Sequence, residues 1–146
     1  MTESRPLVGV IEDDLADQML FVEAAEAAGL DLRLQFFDSA EAFQMHLQAA
    51  EGGDGERPAM VLLDLNMPGT SGLELLQWIR GRGPSRILPV IVLSTSWFEE
   101  DVRDCYAAGA NAFLVKPLRF DELAETLKAF ATFWVDAVRL PTSARA

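Results

Sequence analysis

The chain is short of almost everything that staples or anchors a protein. It has one cysteine, Cys105, among 146 residues, which excludes a disulfide framework and a cysteine-rich metal site. Its one histidine, His46, falls in a helical stretch and reads as a surface or half-buried side chain. Basic residues are scarce: 12 Lys and Arg stand against 23 Asp and Glu, a net charge of −11. Nucleic-acid backbone binding needs a basic surface that releases counterions, so this balance argues against it, and against docking on an anionic membrane. No apolar run reaches the roughly 18–20 residues of a spanning helix. The start MTESRPLVGV lacks a basic segment followed by a long apolar one, so no secretory signal is expected. A reducing cytoplasm is the simplest setting. Internal repeats and linkers are also missing, and a chain of this length is expected to form one domain with its own core.

What is present is an alternation of short apolar runs and amphipathic stretches. Leu7-Val8-Gly9-Val10-Ile11 reads as a first strand ending in Glu12-Asp13-Asp14. Leu15, Met19, Val22, Ala25 and Ala28 recur at helical spacing, and Gly29 supplies a stop. Leu32–Phe37 reads as a second strand. Asp38 and Glu41 look like a capping box that opens a helix to about Ala50. After a Gly-rich loop, Met60-Val61-Leu62-Leu63 runs into Asp64, with the turn Met67-Pro68-Gly69 just beyond. Ser71 and Glu74 form a second capping-box pair. Leu88–Ser94 reads as a fourth strand, Ser96 and Glu99 as the next cap, and Ala112–Val115 as a fifth strand closed by Lys116-Pro117. A helix from about Phe120 to Val138 precedes Leu140-Pro141. Five strands alternating with five helices imply an α/β fold: a doubly wound, five-stranded parallel sheet covered on both faces. The domain is expected to span residues 5–141, with a tail at 142–146 and no output domain.

In such a fold every strand delivers its carboxyl end to one edge of the sheet, where ligands bind. The tips hold Glu12 and Asp13, Asp64, Ser94 and Lys116. Carboxylates at close range repel and need positive charge to stay ionised. Lys116 supplies one charge, and a hard divalent cation such as Mg²⁺ suits a few carboxylates, a carbonyl and several waters. The main-chain carbonyl of Asn66 is placed to add one oxygen. With a metal, a lysine and the Ser94 hydroxyl beside it, Asp64 is equipped to attack phosphorus and form an aspartyl phosphate.

These residues resemble the receiver domain of two-component response regulators over essentially the whole chain. The likeness is carried by Val10-Ile11-Glu12-Asp13, Leu63-Asp64-Leu65-Asn66-Met67-Pro68-Gly69, Val92-Leu93-Ser94-Thr95 and Phe113-Leu114-Val115-Lys116-Pro117, one motif per strand in this order. It implies a flavodoxin-like (βα)5 fold, with Asp64 as phosphoacceptor and Asp13 as a direct Mg²⁺ ligand. Glu12 would be a mostly water-mediated ligand, and Asn66 a carbonyl ligand. Ser94 takes the switch hydroxyl position, Phe113 the switch aromatic position and Lys116 the phosphate-contacting position, with a cis bond expected before Pro117. The implied partner is a sensor histidine kinase or a histidine phosphotransfer protein. The implied protein is a signalling switch that catalyses its own phosphorylation and dephosphorylation rather than a metabolic enzyme.

A narrower likeness joins Leu93–Asp101 and Phe133–Pro141 to stand-alone regulators partnered with bacterial phytochrome kinases, which implies red-light input. In the last helix Phe120, Leu123, Leu127, Phe130, Trp134 and Val138 are expected to cover the sheet. Ala124, Ala131, Phe133, Val135 and Leu140 widen that stripe, and a helix apolar on two sides points to a homodimer. Trp97 and Phe98 read equally as partner contacts or core anchors. Two competing classes remain. A haloacid-dehalogenase-type phosphatase also forms an aspartyl phosphate, but needs an aspartate where Asn66 stands and usually places its nucleophile on the first strand. A pseudo-receiver acting only as a binding module is opposed by the complete set of site residues.

Overall fold

The computed structural model describes residues 5–141; the expected tail at 142–146 lies outside the described residues. Strands β1 (Leu7–Ile11), β2 (Arg33–Phe37), β3 (Met60–Leu63), β4 (Val90–Ser94) and β5 (Ala112–Val115) alternate with helices α1 (Leu15–Ala27), α2 (Ala40–Glu51), α3 (Gly72–Arg80), α4 (Glu99–Ala107) and α5 (Phe120–Phe130). The strands form one parallel sheet in the order β2-β1-β3-β4-β5. The three interior strands, β1, β3 and β4, are buried along their whole length, as strands covered on both faces must be.

Alternation along β3 divides the core in two. Val61 and Leu63 join Phe43, Leu47, Leu75, Leu76, Ile79 and Cys105 on the face covered by α2, α3 and α4. Met60 and Leu62 join Phe21, Ala24, Leu123, Leu127 and Phe130 on the face covered by α1 and α5. Cys105 is therefore a core side chain.

Several local expectations change. The inner face of α1 is centred on Phe21, Ala24 and Ala25, whereas Leu15 and Met19 are 67% and 56% exposed. The helix is apolar on more than one side, and its contact with the sheet selects the face that periodicity alone cannot. The cap of α2 is Ser39, whose hydroxyl accepts from the Ala42 N–H at 3.0 Å, not Asp38. Helix α4 starts at Glu99 with Phe98 as its uncapped boundary, so Ser96 and Glu99 form no capping box. The acidic first turn Glu99, Glu100, Asp101 favours that end through the helix dipole instead. The Ser71–Glu74 box is present, with bonds of 3.2 and 2.9 Å.

After Phe130 the last helix continues as a π-helix over Ala131–Ala137. The wider turn swings Trp134 and Val135 toward the sheet, where they pack with Ala131, Ala124 and Leu140. Much of the expected second apolar stripe is thus core, with Phe133 left 57% exposed, whereas Phe120, expected to cover the sheet, starts the helix 44% exposed. No peptide bond among the described residues is cis. The expected cis Lys116–Pro117 bond is therefore trans, the form that X–Pro bonds intrinsically favour by about 0.5–1 kcal/mol.

Gly72 starts α3 against the backbone that carries Asp64. A methyl added there would overlap the Asp64 carbonyl oxygen and stand 2.7 Å from the Leu65 Cα. Backbone cannot yield as a flexible side chain would. Gly72→Ala should therefore cost about 2–3 kcal/mol, read as a lower urea midpoint; an unchanged midpoint would refute the close fit.

Candidate functional site

The register Ile11↔Leu63 between β1 and β3 sets the next residues, Glu12 and Asp64, beside each other at the carboxyl edge. The Asp64 N–H still bonds the Ile11 carbonyl at 3.2 Å. Because β1 also pairs with β2, this is where the strand order reverses, the point at which open α/β sheets hold ligands.

The three consecutive acids after β1 take separate tasks. Asp14 caps α1 by accepting from the Ala16 N–H at 2.8 Å. Asp13 is exposed at the rim. Glu12 is only 6% exposed, and accepts from the Asp14 N–H at 3.1 Å and from Lys116 Nζ at 3.0 Å. Glu12, Asp13 and Asp64 bring one carboxylate oxygen each to within 4.8 Å of one another. Lys116 reaches in from β5, its backbone N–H bonded to the Ser94 carbonyl at 2.7 Å. Its Nζ also lies 3.7 Å from Asp17. Asp17 carries no motif signal of its own; its place one helical turn beyond Asp13 brings it to Lys116.

Apolar Val10, Phe21, Leu62 and Leu93 line the cavity shared by Glu12, Asp17, Asp64 and Lys116. That surrounding shapes the charges. Burial, then the negative charge of Glu12, pushes the Asp64 carboxyl up to about 6. The Asn66 N–H, 3.4 Å from Asp64 Oδ1, and Lys116 pull the other way and lose. For Lys116 burial acts downward, yet the hydrogen bond to Glu12 and the charges of Glu12, Asp17 and Asp64 outweigh it and raise its pKa. Apart from burial, the neighbouring carboxylates raise both groups, so negative charge is in excess here. The donor set therefore fits a hard divalent cation: oxygen ligands only, excess negative charge, and a position at the edge where waters complete the shell.

The Ser94 side chain is fully buried at the tip of β4, its Oγ accepting from the Ser96 N–H at 3.1 Å. Ser96 in turn donates its hydroxyl to Asp101. Phe113 is half-buried on β5 against the α2–α4 side of the core. Trp97 and Phe98 are not core anchors: they stack on each other at 5.9 Å, 72% and 64% exposed. His46 is half-buried, its Nε2 2.8 Å from the Glu56 carbonyl oxygen and its ring 5.2 Å from that of Phe37.

The decisive comparison is with family models: residues 8–128 match the response regulator receiver domain. The chain belongs to the response regulator receiver family. The methanogenesis regulatory protein FilR2 of Methanothrix harundinacea, described as probable, is 35% identical over 92% of this chain and 87% of its own. Response regulator Rcp1 of Synechocystis is 32% identical over 97% of this chain and 98% of its own. The Mn²⁺-bound structure of Rcp1 superposes with a TM-score of 0.82, at 30% identity over 94% of this chain and 99% of that one. The phosphorylated cyanobacterial phytochrome response regulator RcpA gives 0.86, at 28% identity over 95% and 100%. This receiver is thus a two-component signalling protein homologous to single-domain response regulators. Membership disfavours the dehalogenase-type alternative, and so does Asp64 standing after β3 with Asn66 two residues on. Among the described residues no helix is long and apolar enough to cross a membrane.

Proposed function

We propose that this receiver accepts a phosphoryl group on Asp64 from a phosphohistidine, in the cytoplasm, in a Mg²⁺-dependent reaction. The observation that carries this reading is the convergence of Glu12, Asp13 and Asp64 oxygens within 4.8 Å, with Lys116 held on Glu12 at 3.0 Å. Glu12, Asp13, Asp64 and the Asn66 carbonyl are the groups to hold Mg²⁺, which when bound supplies positive charge to the phosphoryl oxygens. Asp64, ionised above about pH 6, provides the attacking oxygen. A new O–P bond forms as the donor's N–P bond breaks, and the imidazole nitrogen keeps the electron pair and takes up a proton. Lys116 neutralises one phosphoryl oxygen. Ser94 exchanges its bond with Ser96 for one to another oxygen, with Phe113 turning inward behind it. Attack of water on the acyl phosphate, assisted by the same residues, resets the switch.

The test is incubation with a small phosphodonor and Mg²⁺, followed by intact mass. One phosphoryl group per chain is expected; no gain would remove the reading. For the input we propose a phytochrome-type histidine kinase, supported by the likeness to RcpA and by the Leu93–Asp101 and Phe133–Pro141 segments. Phosphotransfer from such a kinase should outpace transfer from unrelated ones; no preference would discard the assignment. We also assign self-association to the last helix, supported by the exposed Phe133. A concentration-dependent sedimentation coefficient is expected, and a monomer at high concentration, phosphorylated or not, would exclude it.

A further inference from the structure

Glu41 stands at the second position of α2 and has the look of a capping-box carboxylate, yet it caps nothing. Three residues beyond the true cap Ser39 lies Ala42, which leaves the Glu41 side chain free. It turns instead across the surface to the β3–α3 connection, residues 64–71. Glu41 Oε2 accepts from Thr70 Oγ1 at 2.6 Å and from the Thr70 N–H at 3.4 Å. The bond from the Thr70 hydroxyl is the main reason the Glu41 carboxyl sits below the usual range.

That contact is unusual for where it acts. From Asn66 to Thr70 the connection has few ties. The Asn66 N–H bonds Asp64 within the same loop, and the Met67 side chain is buried in the core. Among the described residues, Glu41 is the one side chain from another element that hydrogen-bonds this stretch. Gly69 turns the loop beside it through a φ of +77°, a conformation that favours glycine, and a Cβ there would be in ordinary contact with Glu41 Oε2 at 3.6 Å. The carboxylate thus grips the tip of a loop whose other end carries Asp64 and Asn66.

We propose that Glu41 and Thr70 form a clasp that positions the Asn66 main-chain carbonyl for the divalent cation, making Glu41 a positioning residue for the phosphoryl-acceptor site. This rests on the reading of Asp64 and Asn66 as cation ligands given above. The clasp acts before any cation arrives, by narrowing the conformations open to the loop that carries Asn66. Pre-ordering of this kind raises affinity because less freedom is lost on binding.

The test is calorimetric titration of Mg²⁺ into the unphosphorylated protein, with amide exchange of residues 66–70 followed in the metal-free state. Thr70→Val breaks the clasp without changing charge and should weaken Mg²⁺ binding about fivefold, the scale of one charge-assisted bond at an exposed site. Its loop amides should exchange faster. Glu41→Ala should weaken binding at least as much, because it also removes a negative charge. Combining the two should add little to Glu41→Ala alone, since both break one contact. Thr70→Ser keeps the hydroxyl and should bind within about twofold of the parent. A merely structural role would lower the unfolding midpoint and leave Mg²⁺ affinity unchanged. That result, or losses that multiply in the double variant, overturns the clasp while leaving the site intact. A parent protein that binds no Mg²⁺ overturns the reading of the site, and the clasp with it.

Discussion

Asp64→Asn should abolish phosphoryl incorporation: after incubation with a small phosphodonor and Mg²⁺, the variant's intact mass should not change. The substitution keeps the shape of the side chain but replaces the attacking oxygen by an amide whose electron pair is delocalised. A nucleophile lost outright cannot be compensated by neighbours that only bind and neutralise charge. The variant also checks the electrostatics independently. Asp64 holds its proton up to about pH 6 in the folded, metal-free protein, against roughly 3.9 for an unperturbed carboxyl. The folded state therefore binds the proton more tightly than the unfolded one. Ionised Asp64 destabilises the metal-free fold above that pH, and the penalty fades as pH falls from about 6 towards 4. With a discount for the solvent that reaches this partly exposed group, the penalty is about 1–2 kcal/mol. In chelator at pH 7.5, Asp64→Asn should unfold at a higher denaturant concentration than the parent, with the difference shrinking towards pH 4. Lower stability of the variant at pH 7.5 would mean that the carboxylate is not under electrostatic stress.

Chelation of divalent cations should have the second-largest effect, slowing phosphorylation of the parent by about a hundredfold or more. Glu12, Asp13 and Asp64 set three negative charges around the position the phosphoryl group must reach, and Lys116 answers one of them. Lys116 is moreover already engaged with Glu12 at 3.0 Å. Without further positive charge, an incoming anionic phosphoryl group meets net repulsion over an apolar floor, where screening is weak. The dependence should appear in initial rates measured with and without chelator, and Asp13→Asn should raise the Mg²⁺ concentration needed for half-maximal rate. A rate indifferent to chelator would place the counter-charge elsewhere.

The sheet and the acidic cluster were legible because the same physics wrote both. Apolar runs such as Met60–Leu63 are unmistakable when both faces of a strand are buried, and each ends where a polar residue meets solvent at the edge. Strands β1 and β5 fall on the expected residues, and β2 and β4 differ only at their starts, beside Leu32 and Pro89. What local pattern cannot decide is which of two partners wins a side chain. Glu41 had a plausible local cap and went to Thr70, 29 residues away. Ser96 had a plausible partner in Glu99 and is held by Ser94 and Asp101. Leu15 and Met19 fitted a helical stripe, but Phe21 is larger and took the core-facing direction. The turn Pro84–Ile87 was hidden because a single helical turn has no period to detect. Arg80, whose guanidinium donates to the carbonyls of Gly109, Arg86 and Leu88 and to Asn111 Oδ1, carries no local signal of that role. Its acceptors come from segments that only the tertiary fold assembles.

The most direct measurement is to locate the modified atom. The phosphorylated protein, trapped by borohydride, which reduces an acyl phosphate of aspartate to homoserine, should be digested and its peptides fragmented. Conversion at Asp64 alone, and only when Mg²⁺ was present during phosphorylation, is the expected result. Conversion at Asp13 or another carboxylate, with Asp64 recovered intact, would contradict the assignment of Asp64 as the phosphoryl acceptor.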